Sequence, residues 1–335
     1  MWIKGGMNER TVYWLGLPAN AVKIAQRNDT HALAGLVVVH EAGDGISMCL
    51  AHEGLSDCPV YDTEKKKSTV RDNPARLGFF APIFTSNKQR FDHVSIATPD
   101  FEFIKSDAYK HLHKEIGAID SSTKFEERNS VVLWRGSATG TGVPEHTERA
   151  RAAILSKEEL EAGRTWLDVK LTTFVDKTKA MKKLKLSIEP GMGIREQLNA
   201  KYLHDLDGNG NAWAGCWWKL LTAESVSFKV ECGREQWYYH EIKPWDHYIP
   251  IACDLSNLKK QFDWAEAHPA ECRAIANASA ALLRSIKPAS EAIHLAQTLK
   301  TLFEERYQDS HLHQNSSEWL FSICTKMEHG RTSYL

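Results

Sequence analysis

Three stretches of this 335-residue chain hold residue types whose spacing could do chemistry. The first, Trp134-Arg135-Gly136-Ser137-Ala138-Thr139-Gly140-Thr141-Gly142, leads an apolar run into a loop of small residues. Exposed backbone N–H groups in such a loop suit a phosphate, and Arg135 and Arg149 would add charge-assisted forks for a diphosphate leaving group. The bare pattern, without G-x-G-x-x-G or G-K-[ST], equally describes an ordinary strand-to-loop turn. The second stretch, Lys201 to Trp213, contains Asp205-Leu206-Asp207-Gly208-Asn209-Gly210. It opens like a calcium loop, but its twelfth position is Cys216 where a bidentate Glu is required. Asp205-x-Asp207 also offers two carboxylates that could hold Mg²⁺ or Mn²⁺ against phosphate oxygens. The third, Gln236 to Ile251, is dense in aromatics and suits either sugar stacking or a core corner.

The elements that must position these residues follow from periodicity. Leu36–Val39 and Val131–Trp134 are short β-branched apolar runs, and helical spacing dominates between and after them. Alternating strands and helices predict parallel sheets. Beyond residue 250 the pattern is helical, over Leu258 to Ala267, Glu271 to Ile286 and Ile293 to Tyr307. Five lysines in the nine residues Lys177 to Lys185 read as a solvated helix face or as a contact for an anionic acceptor or membrane surface.

The length predicts two packed domains with a cleft between them. A formal net charge of −1 offers no global field for nucleic acid. Seven scattered cysteines without a C-x-x-C pair fit a reducing compartment. The start, Met1-Trp2-Ile3-Lys4, leads into charged residues, and no apolar run approaches the roughly 18–20 residues of a membrane span. A cytoplasmic protein with at most peripheral membrane association is therefore expected.

The order W-R-G-S, K-Y-L-x-x-x-D-G-N-G and K-P-W-x-H-Y-I-P-I-x-x-D-L-S-x-L resembles glycosyltransferase family 90, which includes protein O-glucosyltransferases, capsule xylosyltransferases and lipopolysaccharide transferases. The resemblance covers about residues 70 to 285. Val70-Arg71-Asp72-Asn73-Pro74, otherwise a surface turn, is similar to the segment that carries the family's catalytic base. Asp72 is the base this resemblance implies; an alternative alignment gives that role to Asp100, after the strand-like Val94 to Ala97. Arg135, Gly136, Ser137 and Arg149, with Asp207, Gly208, Asn209, Gly210 and Trp213, are then expected along the donor. Where eukaryotic members place an arginine, this chain reads Ala214 to Lys219, and Lys219 is left as a point-charge substitute.

The resemblance implies an α/β, GT-B-like fold of two Rossmann-like domains facing a cleft. Residues 1–127 would form the acceptor side and 128–290 the donor domain, with a helical segment, 291–335, packing back across both. It also implies an inverting transfer from a UDP-sugar to a glycan or glycolipid acceptor in lipopolysaccharide or surface-polysaccharide synthesis, with no metal or other cofactor. Protein O-glycosyl transfer and an inactive nucleotide- or carbohydrate-binding protein are the alternatives.

Overall fold

The computed structural model describes residues 39–40, 59–62, 67–70, 83–89, 95–140, 146–174, 178–208, 213–232 and 234–306. In the first third, β1 (Val39–His40), β4 (Ile83–Thr85) and β6 (Ser95–Ala97) form a parallel three-stranded sheet in the order β1-β4-β6. β2 (Pro59–Asp62) and β3 (Lys67–Val70) make an antiparallel pair. Helix α1 (Phe101–Lys105) follows β6, and α2 (Lys110–Ser122) leads toward the second sheet.

That sheet is fully parallel and contains β7 (Asn129–Ser137), β8 (Leu167–Thr173), β9 (Ala200–Asp205), β10 (Val226–Glu231) and β12 (Ile249–Ala252) in the order β12-β10-β9-β7-β8. The chain moves from β7 to β8 on one side and then returns to place β9 on the other side of β7. This 2-1-3-4-5 order reverses direction between β7 and β9, and such a switch point leaves a crevice outside the carboxyl ends of the strands. The short β11 (Arg234–Gln236) leaves this sheet to pair antiparallel with β5 (Asn87–Gln89).

Strands covered on both faces read as near-continuous apolar runs, which explains Val131 to Trp134. Val132 and Trp134 enter one core with Tyr202, Phe228 and Ile249, while Leu133 enters the other with Leu203, Trp217 and Leu221. Helix α3 (Glu148–Glu161) covers the first face through Ala150, Ala152 and Ala153, whose small side chains admit close approach to the sheet. Helix α6 (Trp213–Leu221) covers the opposite face. The short α4 (Thr178–Lys183) and α5 (Ile194–Gln197) connect β8 to β9. The C-terminal helices are α7 (Leu258–Ala267), α8 (Pro269–Ser285) and α9 (Pro288–Arg306); Pro269 and Pro288 open the last two, where a missing N–H costs nothing. Among the described residues no helix is long and apolar enough to cross a membrane.

Candidate active site

The loops after β7 and β9 part at the switch point, and Arg149 in the first turn of α3 ties them together. Its Nη1 donates to Ser137 O (3.1 Å) and Thr139 Oγ1 (2.5 Å), while Nε and Nη2 donate to Leu206 O at 3.3 and 3.2 Å. The guanidinium lies 5.2 Å from the centre of the Trp134 ring. Helix α3 can present it there because Thr147 caps the helix, accepting from Ala150 N. Gly208 completes the contact: a Cβ there would stand 2.6 Å from Arg149 Nη2 and 2.9 Å from Thr139 Oγ1. Gly136 is required for a related reason, since a Cβ would come within 2.6 Å of the Trp134 ring.

Glu148, which sequence reasoning passed over, accepts Asp207 N at 2.9 Å. Burial, and then the neighbouring Glu148 carboxylate, push the Asp207 carboxyl well above the usual carboxylate range; burial also raises Glu148. The detectable signal was Thr147-Glu148, a capping residue followed by an acid in the first helical turn. Ser137, Arg149, Asp207 and Gly208 thus converge at the carboxyl ends of β7 and β9. Asn209, Gly210 and Asp72 lie outside the described residues, and Trp213 begins α6.

Arg135 and Lys219 have protein partners of their own. Arg135 pairs with Asp168 on β8 (2.6 Å), and its Nη1 donates to Asp168 O and Trp134 O. Lys219 pairs with Asp205 at 3.3 Å, with both side chains at most 5% exposed. Strand parity explains this pair: Asp205 shares the α6-covered face with Leu203, and the register sets Lys229 opposite it. Burial acts to raise the Asp205 carboxyl, but Lys219, Cys216 and Lys229 outweigh it and hold the group below its ordinary value. The D-x-D pair is therefore poorly suited to grip one cation: Asp205 is committed to Lys219 in the interior, while Asp207 stands beside Glu148.

Asp100 is 2% exposed, and both its oxygens are used. Oδ1 accepts Phe103 N (3.0 Å) as the N-cap of α1, and Oδ2 accepts the Tyr109 hydroxyl at 2.6 Å. Burial raises its carboxyl against those bonds. The aromatic stretch supplies core: Trp237 and Tyr238 pack with Trp217 and Phe103, whereas Trp245 is exposed. Cys232 and Cys253 form a disulfide joining the ends of β10 and β12, which differs from the thiols expected of a reducing compartment. Glu148 is close enough that its carboxylate and the two sulfurs lie within 4.8 Å of one another.

The five-stranded parallel sheet with helices on both faces defines an α/β protein whose switch point is bordered by the loops that Arg149 joins. The model of glycosyl transferase family 90 matches residues 54–287, and the chain belongs to that family. It is similar to protein O-glucosyltransferase 3 of Rattus norvegicus, 33% identical over 132 residues, covering 38% of this chain and 24% of the relative. Protein O-glucosyltransferase 2 of Danio rerio is 35% identical over 85 residues, 25% of this chain and 17% of the relative. The uncharacterized protein 027R of Frog virus 3 is 27% identical over 216 residues, 56% of this chain and 22% of that protein. The matched stretches thus span less than a quarter of each of these relatives.

Proposed function

We propose that this chain is an inverting, metal-independent glycosyltransferase that moves a sugar from a UDP-sugar to an acceptor hydroxyl, working in a cleft between two Rossmann-like domains. The observation that carries this reading is the meeting of Ser137, Arg149, Asp207 and Gly208 at the switch point, where the diphosphate would face the guanidinium charge of Arg149. The acceptor oxygen bonds to the anomeric carbon as the C–O bond to UDP breaks, and the acceptor proton passes to Asp72. Asp72 is preferred over Asp100 because the latter is buried and spends both oxygens on Phe103 N and Tyr109. The commitment of Asp205 to Lys219 favours departure of the diphosphate without a bridging cation.

The proposed acceptor is a glycan or glycolipid of a surface polysaccharide. A protein hydroxyl is the second reading, favoured by the names of the rat and zebrafish relatives. Incubating the protein with a panel of UDP-sugars, with and without EDTA, tests the chemistry through UDP release. EDTA-resistant release, lost in Asp72→Asn and retained in Asp100→Asn, is expected. EDTA-sensitive release would overturn the metal-independent mechanism, and UDP binding without release from any donor or acceptor would mark a binding protein. Adding glycan or unfolded-protein acceptors to the active donor separates the two acceptor readings.

A further inference from the structure

Helix α3 carries a second feature on its other half. Its first turn serves the switch point, while Lys157 and Leu160, about 12 Å or more farther along the axis, line a separate cavity of about 200 Å³ at the β8 edge of the sheet. Leu171 of β8 and Leu186 form part of its apolar floor, and Lys157, Lys170 and Lys185 stand around it. Lys182 and Lys183, exposed at the end of α4, extend the basic rim. Lys182, Lys183 and Lys185 belong to the lysine run of the sequence, and the proposed transfer reaction makes no use of it.

Charge alone would describe an ordinary solvated face. Two further facts distinguish this one. Leu160, which lines the cavity, is 57% exposed, and Ile188, 53% exposed, falls in the chain between the lining residues Ser187 and Glu189. Lys157 and Lys170 have only loose acidic partners at 3.6 Å, the exposed Glu161 and the half-buried Asp168, whose other oxygen is held by Arg135. Such pairs are worth little in water and give way readily to a stronger anion. Glu189 is the one acid in the lining.

We infer that this edge is a docking surface for an anionic phospholipid bilayer, with lysines on the headgroup phosphates and Leu160 and Ile188 entering the interfacial layer. A free phosphate would engage the lysines but would gain nothing from the exposed leucine and isoleucine. An anionic bilayer matches both sets of side chains. The surface is separate from the crevice and does not depend on the transfer reaction being correctly assigned.

The test is co-sedimentation of the full chain with vesicles of phosphatidylcholine, with and without phosphatidylglycerol. Binding is expected only with phosphatidylglycerol and should weaken as salt rises. Each of Lys157→Gln, Lys170→Gln and Lys185→Gln should reduce it by about fivefold, the factor equivalent to roughly 1 kcal/mol per lysine. Leu160→Ser with Ile188→Ser should weaken binding while every lysine remains. Circular dichroism would verify that each variant is folded, with single variants replacing the pair if it is not. No sedimentation with anionic vesicles overturns the inference, as does binding that the lysine variants leave intact. Loss with the lysine variants but not with Leu160→Ser and Ile188→Ser, together with full competition by millimolar inorganic phosphate, would instead mark a plain anion site.

Discussion

At the scale of single residues, the crevice is organised by what Arg149 holds. Four donated hydrogen bonds join two loops that the sheet topology would otherwise leave apart, and Gly208 makes room for that guanidinium. Gly208→Ala would put a methyl group 2.6 Å from Nη2, too close to be absorbed without moving the arginine away from Leu206 O. The expected result is a fall of about tenfold or more in UDP affinity by calorimetry, with a stability loss of only about 1 kcal/mol, since few core contacts change. An equal affinity in the two proteins would show that Arg149 and the diphosphate are unrelated. Gly208, like Asp207, was legible as part of D-G-N-G. The commitment of Lys219 was not legible, because it depends on strand parity and on which face α6 covers.

At the scale of elements, the helical reading beyond residue 250 finds α7, α8 and α9 because amphipathic spacing is a local signal, but it starts α8 at Glu271 and α9 at Ile293 where the structure starts them at Pro269 and Pro288. What α9 leans against is a tertiary fact. Glu291, 6% exposed on α9, has its carboxyl raised to about 7 by burial and, secondarily, by Glu241. His240 pairs with that same Glu241 at 3.4 Å and stacks on His294 of α9 with ring centres 4.6 Å apart. Burial and His240 lower the His294 pKa. Between the ordinary value of 4.5 and about 7, the folded state binds more protons at Glu291 than the unfolded chain. Its contribution is therefore complete in acid and is lost as pH rises through about 7. His294 works in the opposite sense, so the clean comparison is Glu291→Gln against the parent at each pH. Urea unfolding should show the variant more stable by on the order of 2 kcal/mol near pH 8 and equal to the parent near pH 4. A gain that does not vary with pH would locate the effect in packing instead.

At the scale of the whole molecule, the parallel α/β architecture of the second sheet was readable from apolar runs alternating with helices, and Ser137 of W-R-G-S does meet Asp207 and Gly208 at one end of it. The strand order was not readable, since no local pattern states that β9 pairs with β7 instead of β8. The disulfide was missed for the same reason. Cys232 and Cys253 are 21 positions apart and carry no metal or redox spacing, yet β10 and β12 are parallel neighbours, so residues just past their ends come face to face. This bridge fastens the outermost strand at the end of the sheet that holds the crevice, and Arg151 of α3 also donates to Cys253 O at 2.8 Å. Closing a loop of this length restricts the unfolded chain by about 3 kcal/mol. The oxidised protein should yield a cross-linked Cys232–Cys253 peptide on mapping. A thiol reductant, or Cys232→Ser with Cys253→Ser, should lower Tm by roughly 5 °C. UDP affinity should change by less than about threefold, because the four Arg149 hydrogen bonds and the Gly208 contact that hold the crevice loops involve neither bridged cysteine. If reduction instead abolishes UDP binding while leaving Tm unchanged, the bridge shapes the crevice through Glu148, whose carboxylate lies within 4.8 Å of both sulfurs, and not the fold as a whole.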